Sequence, residues 1–257
     1  MNNKLTTRVS NQDLVQQAKA QYEKTQESKI PTEIFDLVSE GKIYPATHPL
    51  RSGTIEMRYM TAYDEDILTT RSFHEKGIVL DRLIDALIVT PGVTVDDIKT
   101  VDKNGLVIAA RILSYGKQYP VRVKTPEGNI IESEVNLSAL QVRKLDINSD
   151  TNGEFDYTTD RGDRLKFCFP NSTETYETTS ELLNAIITQV NETRSKNDIA
   201  DFIKYKFMAL DSRKFQTYVI DNSPEVLLSS EFEYDTAEGK KETFTAGFQL
   251  GSDLFWF

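Results

Sequence analysis

Residue types that do chemistry are sparse in this chain, so their spacing decides what they can do. Three consecutive acids, Asp64, Glu65 and Asp66, follow an alternating stretch and Thr61. Carboxylates that hold a metal converge from separate ligand positions. Successive residues on a helix point about 100° apart, so these three diverge. Thr61-x-x-Asp64 instead matches a variant of the capping box. Acids in a first turn also complement the helix dipole. The cluster therefore reads as the start of a helix.

Asp146, Asn148, Asp150 and Asn152 alternate in a pattern like the opening of a calcium loop. Counted from Asn148, Gly153 takes the sixth position, but Thr159 stands where a bidentate Glu is needed. Counted from Asp146, those positions hold Thr151 and Tyr157. The segment reads as a solvated turn. Cys168 is the one cysteine, so an intrachain disulfide and a cysteine zinc site are excluded. It alternates with Phe167 and Phe169, with no histidine near in sequence, and reads as a structural thiol. The two histidines, His48 and His74, rule out a His-rich metal site. No P-loop, G-x-G-x-x-G, G-x-S-x-G or H-E-x-x-H motif occurs. Forty acids against 30 bases give a net charge of −10 without a basic stripe, which disfavours nonspecific duplex binding. The expectations are no catalytic residues, no cofactor, no metal, and neither nucleic acid nor membrane as partner.

The chain has 257 residues, enough for one large domain or two small ones. Residues 1–30 are polar. Leu14, Val15, Ala18 and Tyr22 fall at helical spacing, so 11–27 is a thin helix that needs a partner or the body to order it, or else a tail. It has no apolar core of signal-peptide length. The longest apolar runs are too short to span a bilayer. The expectation is a soluble protein, cytoplasmic where it is made.

Residues 31–170 are expected to form an α+β domain. Gly41 ends a short first segment, followed by an extended 42–45 and a strand at 54–59. A helix from Thr61 to about Lys76 ends at Gly77. Further helices follow at 80–88 and from Asp102 or Asn104 to Gly116. This helical unit, 61–116, precedes a β-rich unit, 118–170. There 118–125 and 130–137 form a hairpin about Pro126-Glu127-Gly128-Asn129. Short strands are expected at 141–145, 152–158 and 163–169. In 171–257, helices at 181–193 and 199–210 precede strands at 225–234 and 242–250. The fold class is thus α+β, with short helical bundle units and antiparallel β-hairpins. Leu254, Phe255, Trp256 and Phe257 close the chain. Such aromatics either finish a core or anchor a partner. With Leu14 and Tyr22 they are the candidate partner-binding residues.

The order of motifs resembles the T4-like phage baseplate proteins, the group that builds the central hub of a contractile tail. An extended Gly-x-x-Tyr-Pro matches Gly41, Tyr44 and Pro45. A Thr-x-x-Asp-Glu-Asp-x-Leu helix start matches Thr61, Asp64, Glu65, Asp66 and Leu68. Arg-x-x-Ser-Tyr-Gly-x-x-Tyr matches Arg111, Ser114, Tyr115, Gly116 and Tyr119. The resemblance is good over about 31–140 and looser beyond. Some relatives carry a Cys-Pro-x-Cys-like pair where this chain has Thr125-Pro126-Glu127-Gly128, so any metal held there is not available here. The resemblance implies a non-enzymatic hub subunit or hub-assembly chaperone. It would contact other hub or hub-assembly proteins, as a homo- or hetero-oligomer, with the motif residues structural. The alternative drawn from charge alone is an acidic adaptor or inhibitor steered to a basic surface of a host protein.

Overall fold

The computed structural model describes residues 30–236, 238–250 and 252–255. The expected helix at 11–27 lies outside them. Thr32–Asp36 (β1) pairs antiparallel with Thr54–Arg58 (β2), with Ile34 opposite Glu56. Ile55 and Met57 point from β2 into the core. The stretch 42–45 is not extended. Positive φ at Glu40 and Gly41 reverses the chain, and this turn drives Ile43 and Tyr44 inward. At Gly41, with φ +74°, a Cβ would stand 2.6 Å from Gly53 N and 2.7 Å from Arg51 O. Only glycine fits such a position.

The helix expected from Thr61 to Lys76 is two helices, Ala62–Thr69 (α1) and Arg71–Glu75 (α2). The break falls at Thr70, whose backbone is extended. The Thr70 hydroxyl donates to the Asp66 carbonyl at 2.6 Å and the Thr69 hydroxyl to the same carbonyl at 3.2 Å. Such local bonds compete with the helix ladder. Val79–Leu87 (α3) and Thr100–Tyr115 (α4) follow. Leu83, Ile84 and Leu87 of α3 are buried, as are Leu106, Val107, Ala110 and Leu113 of α4.

The hairpin forms as expected from Gln118–Lys124 (β3) and Ile130–Asn136 (β4), with Tyr119 opposite Val135. Val142–Arg143 (β5), Phe155–Thr158 (β6) and Arg164–Phe167 (β7) are shorter than the alternation suggested. The helix expected over 181–193 stops at Thr179–Ile186 (α5), and Ile187–Val190 (β8) continues as a strand beside β7. The β-branched Ile187, Thr188 and Val190 fit a pleated surface better than a helix.

The helix expected over 199–210 also divides. Lys196–Tyr205 (α6) closes with Phe207 N donating to Phe202 O at 2.8 Å, and Ala209–Asp221 (α7) begins anew. Phe215 anchors α7 in an aromatic cluster, 5.2 Å from the ring of Tyr157 and 5.4 Å from that of Phe167. Glu225–Val226 (β9) pairs with β5, and Ser229–Asp235 (β10) with Lys241–Gly247 (β11). Among the described residues every strand pairing is antiparallel. Buried side chains from Leu37 to Phe255 form one apolar cluster. A last 3-10 turn, Ser252–Phe255, returns to it.

Candidate interaction surface and its buried polar frame

The expected capping box forms at the start of α1. The Asp64 carboxylate receives the Thr61 N–H at 2.7 Å and the Thr61 hydroxyl at 2.8 Å. It also takes the Arg58 guanidinium in a fork, at 2.7 and 2.8 Å. Burial alone would push this carboxyl up. The Arg58 fork and the Thr61 donors outweigh it and hold Asp64 below the usual carboxylate range. Glu65 turns elsewhere, to the Tyr115 hydroxyl at 2.8 Å, and Asp66 faces solvent. The three acids therefore diverge, each with a different environment.

A second frame lies deeper, and sequence reasoning missed it. Asp102, fully buried, sits in the first turn of α4 but does not cap it; Lys99 is the N-cap. Its carboxylate receives the Ser39 N–H, the Ser39 hydroxyl and the Tyr44 hydroxyl, each at 2.8 Å. Burial pushes the Asp102 carboxyl up, and these donors oppose it only in part. The Tyr44 hydroxyl, buried and beside this carboxylate, is held well above its ordinary range. Tyr44 thereby pins the turn after Gly41 to the start of α4, and its ring stacks on His48 at 5.3 Å. Pro45 is half-buried behind it. Ser39 and Tyr44 stand 63 and 58 positions from Asp102, so no local pattern announces the network.

Arg111 forms a third frame. Only 1% exposed, it donates from Nε to the Leu254 carbonyl at 2.9 Å and from Nη1 to the Gly116 carbonyl at 2.9 Å. Nη2 reaches the Gln118 carbonyl at 3.3 Å, and the guanidinium lies 5.1 Å from the Tyr115 ring centre. Burial lowers its proton affinity. Gly116, at φ +82°, turns the chain out of α4, and Tyr119 on β3 is buried. One arginine so binds the end of α4, the start of β3 and the last turn of the chain. Leu254 and Phe255 are buried there, with Phe255 edge-on to Tyr115 at 6.3 Å. Leu14, Tyr22, Trp256 and Phe257 lie outside the described residues.

Among the described residues, no group of three or more His, Cys, Asp or Glu side chains is placed to hold a metal. Asp150 accepts the Asn152 and Glu154 N–H groups at 2.8 and 3.1 Å and pairs with Lys166, so the calcium-like sequence is a turn closed on itself. A cleft of about 650 Å³ between Asn191 and α6 is lined chiefly by polar side chains, among them Asp163, Glu192 and Arg194. The surface offers something else. At the elbow between α6 and α7, Tyr205, Met208 and Leu210 are 65%, 43% and 64% exposed. Exposed Lys204, Lys206 and Arg213 stand close to them in sequence, with Lys204 Nζ 5.0 Å from the Tyr205 ring centre, on a chain of net charge −10.

The family model described as T4 bacteriophage base plate protein matches residues 42–248. The chain belongs to that family. The match covers Tyr44, Asp102, Asp64, Arg58, Arg111 and the elbow, but not Ser39. It leaves out β1 and the buried Leu254 and Phe255. Membership implies contact with other baseplate proteins of the phage tail. No curated protein and no solved structure matches this baseplate-family chain significantly. No helix among its described residues is long and apolar enough to cross a membrane.

Proposed function

We propose that this chain is a non-enzymatic component of the baseplate hub, a hub subunit or a chaperone of hub assembly. It works by protein–protein contacts in the host cytoplasm while the tail is built, without nucleic acid or membrane as partner. The observation that carries this reading is the α6–α7 elbow. Three large apolar side chains, Tyr205, Met208 and Leu210, stand in water there within six positions of one another. Aromatic and Met side chains rimmed by charge are the composition of an interface centre. The hub-specific part rests on the resemblance of the ordered motifs at Gly41, Thr61 and Arg111.

The test is co-purification during infection, with the tag at the N-terminus because Leu254 and Phe255 are buried. Hub proteins captured with this chain, and the chain absent from purified virions, mean a chaperone. Capture together with presence in virions means a subunit. Capture of no hub protein and absence from virions overturn the proposal. Leu210→Glu with Met208→Ser should reduce capture by about 30-fold, the equivalent of a hot spot of ~2 kcal/mol, with unchanged unfolding.

A further inference from the structure

We propose that β1 is a self-pairing edge, through which two copies of this chain join antiparallel about a two-fold axis at Ile34. The inference does not depend on the role in hub assembly. Strand β1 has β2 on one side, and among the described residues no strand pairs with the other. The direction of its backbone groups follows from the ladder. Tyr59 N donates to Pro31 O at 2.9 Å and Leu37 N to Gly53 O at 2.8 Å. In an antiparallel pair, hydrogen-bonded and non-hydrogen-bonded positions alternate. Residues 31, 33, 35 and 37 therefore bond inward to β2. The N–H and C=O groups of Thr32, Ile34 and Asp36 point to the open edge.

Those three residues are symmetric about Ile34. Laid antiparallel on a second copy, Ile34 exchanges two hydrogen bonds with its own equivalent, and Thr32 and Asp36 exchange theirs with each other. Side chains agree with this register. Ile34, 68% exposed, meets Ile34 of the other copy on the outer face. Asp36 faces Thr32, and Glu33 faces Phe35, so no two acids stand opposite each other. A parallel in-register pairing would set Glu33 beside Glu33 and Asp36 beside Asp36, which is unfavourable. The two-fold arrangement is also the closed, isologous one. A stable interface buries about 800 Å² per partner, and five residues supply only part of that. The dimer is therefore expected to depend on concentration.

The test is sedimentation equilibrium of the full chain from about 1 to about 200 µM, the range where weak contacts associate. A monomer–dimer equilibrium is expected. Ile34→Lys places two cations on the axis. Ile34→Pro removes an outward N–H that β2 does not use, as an edge strand tolerates. Each should weaken dimerisation at least about tenfold without changing the unfolding transition. Ile34→Cys, combined with Cys168→Ser, should cross-link to its own equivalent under mild oxidant. Hydrogen-bonded antiparallel pairs have Cα atoms about 5.5 Å apart, within disulfide reach. A chain monomeric throughout overturns the proposal, whether the edge is then bare, covered by residues 1–29 or taken by another protein's strand. A dimer indifferent to Ile34→Lys, with no cross-link, overturns it as well.

Discussion

Replacing Arg111 by methionine removes the donors but keeps much of the side-chain volume. Three carbonyls lose a partner. Gly116 and Gln118 are exposed and recover water; Leu254 is buried. An orphaned buried carbonyl costs about 1–3 kcal/mol, and weaker packing over Tyr115 adds ~0.5 kcal/mol or more. The substitution should therefore destabilise by about 2–4 kcal/mol. Phe255→Ala, which empties a fully buried site, should cost about 3–5 kcal/mol. If Arg111 acts by holding the last turn, the two losses overlap. Once Phe255 is gone the turn detaches, and the Leu254 carbonyl is no longer there to be orphaned. The double variant should then fall short of the sum by about 1–3 kcal/mol. Urea unfolding followed by far-UV circular dichroism and by fluorescence of Trp256, the one tryptophan and the next residue after Phe255, measures all four states. Additivity within ~0.5 kcal/mol would refute the claim that Arg111 holds the chain end.

Asp64, held below its unfolded value, contributes stability that is fully present above the unfolded value of 3.8 and is lost as pH falls through its folded value. Asp64→Asn should flatten that acid limb in a pH series of thermal unfolding. Asp102 has the opposite sign. Its carboxyl is raised, so its contribution is present below the unfolded value of 3.8 and lost as pH rises through the folded value. Asp102→Asn should therefore gain on the wild type as pH rises, whereas Asp102→Ala, orphaning Tyr44 and Ser39, should cost about 3 kcal/mol at neutral pH. Gly41→Ala should cost more than ~2 kcal/mol, because strain at φ +74° adds to contact with Gly53 N. Gly116→Ala, at φ +82° with no atom within 4 Å, should cost only about 1 kcal/mol, as chemical denaturation can compare.

What was legible in the sequence was what local chemistry decides. Thr61 and Asp64 mark a helix start because their bonds close within three residues, and Pro126–Asn129 marks a hairpin because the turn needs those types. Alternation found β3 and β4, where Tyr119, Val121, Val123 and Val135 are buried; the strand expected over 225–234 divides into β9 and β10, and β11 falls within the expected 242–250 apart from its first residue. The strand β8 was hidden because Ile186, Ile187 and Val190 continue the helical spacing of Leu182 and Leu183; only β7, more than twenty positions earlier, draws them into a sheet. The helix α7 was hidden because its inner face is carried by few residues, Asp211, Phe215 and Tyr218, the first of them charged and paired with Arg161. The Asp102 network escaped notice because Ser39 and Tyr44 converge on it from another segment. Arg111 was flagged by motif order, but its bond to Leu254 spans 143 positions and no spacing rule reaches that far.

That long bond also sets a clock on biosynthesis. At about 5–20 residues per second, Leu254 emerges roughly 7–30 s after Arg111. For that interval α4 and the β3–β4 hairpin can assemble, but the guanidinium still lacks the Leu254 carbonyl and the Phe255 pocket stands empty. The nascent chain thus presents a temporary apolar cleft beside a cation, open to ribosome-associated chaperones, and it closes by itself when the final turn arrives.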